Sequence, residues 1–373
     1  KLETIDAARQ NPVCSLRNNH YIRQLRGKLM LPPLVDLHED ISLYYVHAGA
    51  GLKFKPLDFG VDMPGRHGDI PKYRRANLRL VFSSIAPLTP TISRMRVEQL
   101  AKGYGGFYGA YRTRAATLTT LEHIVTYNNL LRQHSKDLRP VVTASDVEEL
   151  GKDGRIGFLM AIEGAEPLED VEDLEIFYKL GIRSLQLTWN FDNKYGATCM
   201  SKKDYGLTGD GEDLVHLCND MGVIVDLSHA SKRTTVEALS ASKLPAIVSH
   251  ANAKSIRNHA RNLDDEELEA LKKNGGVVGA TFIPPTISDQ PSLKGLADHI
   301  LYIYEKFGPD ILAIGTDYFG LLNVDEPQGL EDITKISDLW NELISRGIKE
   351  SDVEKIAYLN ALRVVRENAK RWM

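Results

Sequence analysis

The sequence predicts an α/β protein folded as a closed (β/α)8 barrel, a TIM barrel with extra helices. Three observations carry that expectation. Eight apolar runs of strand length recur along the chain. Segments with helical periodicity separate them, the alternation that gives a parallel sheet. The runs are apolar almost throughout, so both faces of the sheet are covered, and eight repeats favour closure over an open sheet.

In chain order, the first thirty residues read as one or two helices, from Leu2 to about Arg26, ending near Gly27. The opening strand is Leu34-Val35-Asp36-Leu37-His38-Glu39-Asp40, in which apolar residues lead into acids and a histidine. Leu78 to Ile85, Ile156 to Ile162, Ser184 to Thr188 and Val223 to Leu227 are the second to fifth strands. Ala246 to Ser249, Val277 to Phe282 and Ile311 to Ile314 complete the eight. Between strands, Val171 to Leu180 has apolar residues three and four apart and stops at Gly181, while Leu214 to Met221 stops at Gly222. Thr235 to Leu239 precedes Pro245, and Asp298 to Phe307 stops at Gly308-Pro309. Leu263 to Leu271 has Asp264, Asp265 and Glu266 in its first turn and Gly275 past its end, as helix ends prefer. Thr91 to Asp137 is too long for a simple crossover; Val97 to Leu100 and Leu118 to Leu131 both look helical, so it reads as an elaborated connection. After Asp317, helices over Ile333 to Ile344, Val353 to Ala357 and Asn360 to Asn368 are expected to close the outer ring. No linker interrupts the chain. A single domain is expected over residues 1–373, with a helical segment over about 1–30.

A chain of 373 residues buries a sizeable core, and its length suits a barrel with insertions. With a net charge of −4, nothing is basic enough for nucleic acid. No apolar run reaches transmembrane length, and the polar C-terminal end carries no hydrophobic tail for a lipid anchor. Neither nucleic acid nor membrane is an expected partner. Three cysteines, Cys14, Cys199 and Cys218, make no disulfide framework, so a reducing, cytoplasmic setting is the default. The chain starts at Lys1, which leaves a removed signal peptide open.

Active sites of such barrels lie where the strands end. His38 and Asp40 are two apart, so on an extended backbone their side chains leave the same side. One imidazole nitrogen and one carboxylate oxygen make half of a metal site. The third strand ends in Glu163, the fourth in Trp189 and Asn190, and the fifth in Ser228 and His229. The sixth ends in Ser249 and His250, the eighth in Thr316 and Asp317. Three histidines and three carboxylates therefore gather on one rim. A catalytic zinc needs three protein ligands and an open place, so five or six suit two divalent cations. A carboxylate such as Glu163 can bridge ions about 3.5–4 Å apart, and water on such an ion ionises near pH 7, ready to attack an amide, ester or phosphate. Singly, each residue has an ordinary alternative: a hydrogen-bonded histidine, a helix-capping Glu163, a turn residue at Asp317. Together they would be costly to bury unpaired, and a metal cluster removes that cost.

A second H-x-D, His67-Gly68-Asp69, lies among Pro64, Gly65 and Pro71 and reads as a surface loop. His123, His134, His216 and His299 fall in helical patterns, and His20 and His47 in or near irregular segments. Arg261 follows the sixth strand in Asn258-His259-Ala260-Arg261-Asn262 and is either a surface arginine or a clamp for a carboxylate beside the metals. His259 is left open between the two.

These motifs, in this order, resemble those of the membrane dipeptidase (renal dipeptidase) family, binuclear zinc peptidases. The residues concerned are Asp36-Leu37-His38-Glu39-Asp40, Ile162-Glu163-Gly164, Asp226-Leu227-Ser228-His229, Ser249-His250, Arg261-Asn262 and Gly315-Thr316-Asp317-Tyr318. The similarity runs from about Leu34 to the end. It implies two Zn2+ ions, with Co2+ or Mn2+ as other candidates. His38 and Asp40 would hold one, His229 and His250 the other, with Glu163 bridging. Asp317 would be the catalytic acid/base, and Arg261 would bind the substrate carboxylate. The implied activity is hydrolysis of dipeptides by a zinc-bridging hydroxide, with L-Xaa-D-Xaa a candidate substrate beside L-Xaa-L-Xaa. A dipeptide is the expected partner, and a homodimer is left open. Two alternatives stand: another binuclear amidohydrolase-type enzyme acting on a cyclic amide or ester, disfavoured because no assigned strand ends in lysine, and a catalytically silent metal-binding barrel.

Two departures from the family pattern matter. Leu187-Thr188-Trp189 stands where the mammalian enzymes carry Leu-Thr-His, which leaves Asn190 as a candidate stand-in for the missing donor. Phe319 stands where the family often has a second acid. Trp189 and the loop Val46 to Tyr73 are expected to shape the pocket.

Overall fold

Nine strands form one parallel sheet: Leu34–Glu39 (β1), Leu78–Ile85 (β2), Leu138–Pro140 (β3), Ile156–Ile162 (β4), Ile182–Gln186 (β5), Ile224–Asp226 (β6), Ile247–Val248 (β7), Val277–Ala280 (β8) and Leu312–Ile314 (β9). They come from a computed structural model, which describes residues 31–46, 58–87, 116–321 and 324–372. Eight strands run in the order β2-β1-β9-β8-β7-β6-β5-β4, and β4 pairs back onto β2 from Leu80↔Gly157 to Ile85↔Ile162. The fold is thus a (β/α)8 barrel. β3 pairs with the start of β4, ahead of the point where β5 joins it. Leu31 apart, the described residues belong to one compact unit, Pro32–Met373.

Each of the eight expected runs became one barrel strand. β1 and β4 are buried at every position, β4 as an apolar run and β1 with Asp36, His38 and Glu39 buried among its apolar residues. The helices fill the alternating places. The helix Gly209–Met221 starts at Thr208, whose side chain accepts from the Gly211 N–H, and ends at Gly222 with φ 72°. The helix Asp265–Asn274 has a capping box of Asp264 and Glu267 and a left-handed Gly275, φ 78°. The helix Leu293–Phe307 lays Leu296, Ile300, Ile303 and Phe307 against the barrel, each burial contributing about 1.5–3 kcal/mol. The short helices Ile41–Val46, Ile70–Arg75 and Ala144–Glu148 lay outside the sequence reading. The expected helices from Leu2 to Arg26 and over Val97 to Leu100 fall outside the described residues, as do Cys14, His20, His47 and part of the Val46 to Tyr73 loop. Among the described residues no helix is long and apolar enough to cross a membrane, and Cys199 and Cys218 are free thiols.

Two glycines let the barrel close where the sixth expected strand ends. A methyl group on Gly315 or on Gly279 would collide with the carbonyl oxygen of Ser249, and backbone gives way less easily than a side chain. Gly315→Ala is expected to destabilise the protein by about 1–3 kcal/mol or more through this overpacking. Gly209→Ala, where a methyl meets nothing within 4 Å, is expected to be neutral or stabilising. Denaturant melts of the two variants decide it, and equal midpoints would remove the close approach as a constraint.

Candidate metal centre

The strand ends bring the expected side chains together. His38 Nε2 lies 3.6 Å from Asp40 Oδ2, 3.8 Å from Glu163 Oε1 and 3.6 Å from Asp317 Oδ1. Glu163 Oε1 is also 3.2 Å from His229 Nε2 and 3.7 Å from His250 Nε2, and the two Nε2 atoms are 3.1 Å apart. Two groups that could hold a metal ion follow, His38-Asp40-Glu163 and Glu163-His229-His250, with Glu163 in both; His38-His250-Asp317 forms a third. All six residues are buried. Glu39, between His38 and Asp40, faces the other way and accepts a hydrogen bond from the Tyr73 hydroxyl, as strand alternation demands.

Two buried aspartates place the rim. Asp36 Oδ1 accepts from the His38 N–H at 3.1 Å and from the Thr316 N–H at 3.0 Å, which ties β1 to the end of β9. Asp226 Oδ1 accepts from the Ser228 and Ser249 N–H groups, both at 3.0 Å, and ties β6 to β7 in the same way. In both cases an Asp stands two residues ahead of the amide it holds. The sequence reading passed over these two residues; the repeated Asp-Leu in Asp36-Leu37-His38 and Asp226-Leu227-Ser228-His229 was the available signal. His229 and Asp317 sit at positive φ, 65° and 62°, a conformation that costs energy outside glycine and clusters at functional sites. Gly320 lies directly under the carboxylates, where a methyl group would meet Asp40 Oδ2 and Asp317 Oδ1.

The electrostatics ask for positive charge. Burial raises the Glu163 carboxyl well above its ordinary range, with Asp40 adding to the rise and His38 opposing it. Burial likewise raises Asp317. For His38, burial acts downward, yet the Glu163, Asp40 and Asp317 carboxylates lift the imidazole to about 10. Burial holds His229 and His250 well below the ordinary histidine range, with the charges of Arg261 and His38 adding. These two are therefore neutral. Asn190 Oδ1 accepts a hydrogen bond from the Nδ1–H of His229 at 2.8 Å, and Ser249 Oγ meets His250 Nδ1 at 2.8 Å. That leaves the His229 Nε2 lone pair aimed at Glu163 and His250. His38 Nε2 and Asp40 Oδ1 are buried without a hydrogen-bond partner. Converging lone pairs and orphaned buried donor atoms of this N/O kind fit divalent metal.

Beside the cluster, Arg261 is buried. Its Nη2 donates to the His250 carbonyl at 3.3 Å, and its Nε has no hydrogen-bond partner. The surface alternative for Arg261 is thereby ruled out. Trp189 is half-buried with its ring 6.2 Å from that of His229. Asn190, the candidate stand-in for the missing donor, is buried against His229, and its Oδ1 orients that ring. His123 and His299 are buried helix residues outside the three groups, bonded to Ser42 Oγ and to the Ile287 carbonyl. His67-Gly68-Asp69 is a loop, but not a surface one: Asp69 is fully buried, pairs with Arg66 and Lys72 and caps the helix Ile70–Arg75.

The membrane dipeptidase (peptidase family M19) model matches residues 24–372. The chain belongs to the membrane dipeptidase family. It is 31% identical over 337 residues to dipeptidase verJ of Clonostachys rogersoniana, covering 89% of this chain and 83% of that one. To dipeptidase tcpJ of Claviceps purpurea it is 34% identical, covering 84% and 71%. Among solved structures, a metallo peptidase from Rhodobacter sphaeroides, liganded with a phosphinate mimic of the dipeptide L-Ala-D-Ala, superposes with a TM-score of 0.77. That match has 22% identity and covers 91% of this chain and all of the other, and it shows a shared fold.

Proposed function

We propose that this protein is a zinc-dependent dipeptidase, a single catalytic domain acting on small peptides with a free C-terminal carboxylate. The observation that carries the reading is Glu163, which belongs to two ligand groups at once beside Asp317. His38 and Asp40 would hold one cation and His229 and His250 the other, with Glu163 offering a carboxylate to both. Such cations, when bound, polarise the scissile carbonyl and lower the pKa of water from 15.7 to about 7. Asp317 is placed to take a proton from the attacking water and return it to the leaving amine, a general acid–base role that contributes about 10²–10⁴-fold. Its raised position makes it a ready proton acceptor and donor; positive charge at the cluster works against that rise. Arg261 pairs with the substrate carboxylate, a contact worth more because the guanidinium is buried.

A panel of L-Xaa-L-Xaa and L-Xaa-D-Xaa dipeptides, assayed with zinc and with chelator, tests the reading. Zinc-dependent cleavage is expected. Turnover of cyclic amides or esters without dipeptide cleavage would favour the other binuclear hydrolases, and no turnover at all a silent barrel. Arg261→Ala is expected to raise KM for dipeptides about 10–100-fold, the loss of a charge-assisted pair of roughly 1.5–3 kcal/mol. A dipeptide amide, lacking the carboxylate, should show the same weak binding to both proteins. An unchanged KM would remove the clamp.

A further inference from the structure

The turn that carries Asp317 is held from outside the rim. Its backbone is unfavourable at two non-glycine positions, φ 62° at Asp317 and 67° at Phe319. An aromatic residue at positive φ has no polar side chain to stabilise its own turn, unlike Asp or Asn. The Phe319 N–H instead donates to His67 Nδ1 at 2.8 Å. A ring nitrogen that accepts carries no proton, so His67 holds its proton on Nε2, and Nε2 meets Glu326 Oε1 at 2.8 Å. The His67 ring also stacks on Tyr318 at 4.8 Å and 18°. Tyr318 O in turn accepts from the Asp40 N–H at 2.9 Å, and Asp317 N–H donates to the His38 carbonyl at 3.0 Å. The turn between these contacts sets where the Asp317 carboxylate stands against His38.

His67 itself rests on a rigid base. The Ile333 N–H donates to its carbonyl at 2.9 Å. A methyl group on Gly68 would strike the Tyr73 ring at 2.5 Å, so this backbone passes close against Tyr73. Asp69, two residues on, is locked by Arg66 at 3.2 Å and Lys72 at 2.6 Å. We propose that His67, its tautomer fixed by Glu326, is a positioning residue that sets the Asp317 turn in its working geometry through the Phe319 amide. The proposal rests on the dipeptidase reading for its activity readout. The hydrogen bond itself does not.

The test uses the full chain. Nitrogen-15 NMR of histidine-labelled wild type should show His67 protonated at Nε2 and bare at Nδ1; the opposite tautomer would overturn the proposal by itself. His67→Ala is expected to lower kcat about 10–100-fold, since displacements of about 1 Å near a reacting group cost that order. Its KM should stay within about threefold, because the substrate carboxylate is bound elsewhere, and its zinc content should not change. His67→Asn places its amide oxygen near the former Nδ1 and should recover most of kcat. His67→Gln places its amide near the former Nε2 and should not. Equal kcat in the Asn and Gln variants, or an unchanged kcat in His67→Ala, would sink the idea, and the Asn–Gln comparison decides it if the Ala variant fails to fold. A wild type that cleaves no dipeptide would overturn the dipeptidase reading instead, with the tautomer still deciding the hydrogen bond.

Discussion

Asp317→Asn is expected to keep its metal and lose turnover by about 10²–10⁴-fold in kcat, the contribution of a positioned proton carrier. The substitution is close to isosteric, and asparagine tolerates the left-handed backbone that Asp317 adopts at φ 62°. The Asp317 N–H to His38 carbonyl bond is unaffected by the change, and so is the close fit of Gly320 beneath the side chain. What the amide cannot do is accept a proton. Metal analysis and steady-state kinetics on the same sample separate two roles. Asp317 lies outside the two groups that share Glu163 but inside the third, with His38 and His250. Loss of metal together with turnover would make it a ligand instead. Retained turnover would exclude it from proton transfer altogether.

The barrel was legible because eight strand-length runs, mostly apolar, recur between helical segments, and buried parallel strands leave that mark in sequence. β3 was not. It is three residues long and ends in a proline, and its pairing with β4 depends on a neighbour some twenty residues away that no local pattern announces. The cluster of buried histidines and carboxylates was legible because it falls at strand ends, where direction is fixed by the period of the strand. Residues that act through backbone amides were harder to see. Asp36 and Asp226 read as ordinary strand residues until their carboxylates are seen holding amides of the neighbouring strand end. His67-Gly68-Asp69 reads as a surface loop in sequence because Pro64, Gly65 and Pro71 surround it. Its burial comes from tertiary contacts with Tyr73, Tyr318 and Ile333, which hydrophobic periodicity does not report. Asn190 shows the opposite case: its place beside the site was legible, but its hydrogen bond with His229 depends on a ring orientation only the structure gives.

Glu163→Gln should separate the charge of this residue from its shape. The glutamine fills the same space at the end of β4, where the backbone N–H of residue 163 donates to the Ile85 carbonyl whatever the side chain. Without cations, the buried carboxylate is a liability. Its folded-state pKa lies above the ordinary value, so as pH rises past about 4.3 the unfolded chain ionises first and the folded state loses ground. Glutamine has no proton to lose and escapes that penalty. Metal-free Glu163→Gln is therefore expected to melt no lower than metal-free wild type at neutral pH. With zinc the order reverses. Wild type should gain stability with ligand concentration, about 2.7 kcal/mol at 100 times Kd. The variant should gain little, because the one group shared by both ligand sets has lost its charge; disturbing even an outer partner of a ligand costs about 10–100-fold in metal affinity, and a ligand itself more. Turnover should fall with the metal. Melting curves with and without zinc read both effects. A variant that is destabilised without metal yet still gains from zinc as wild type does would show that Glu163 supports the barrel rather than the cations.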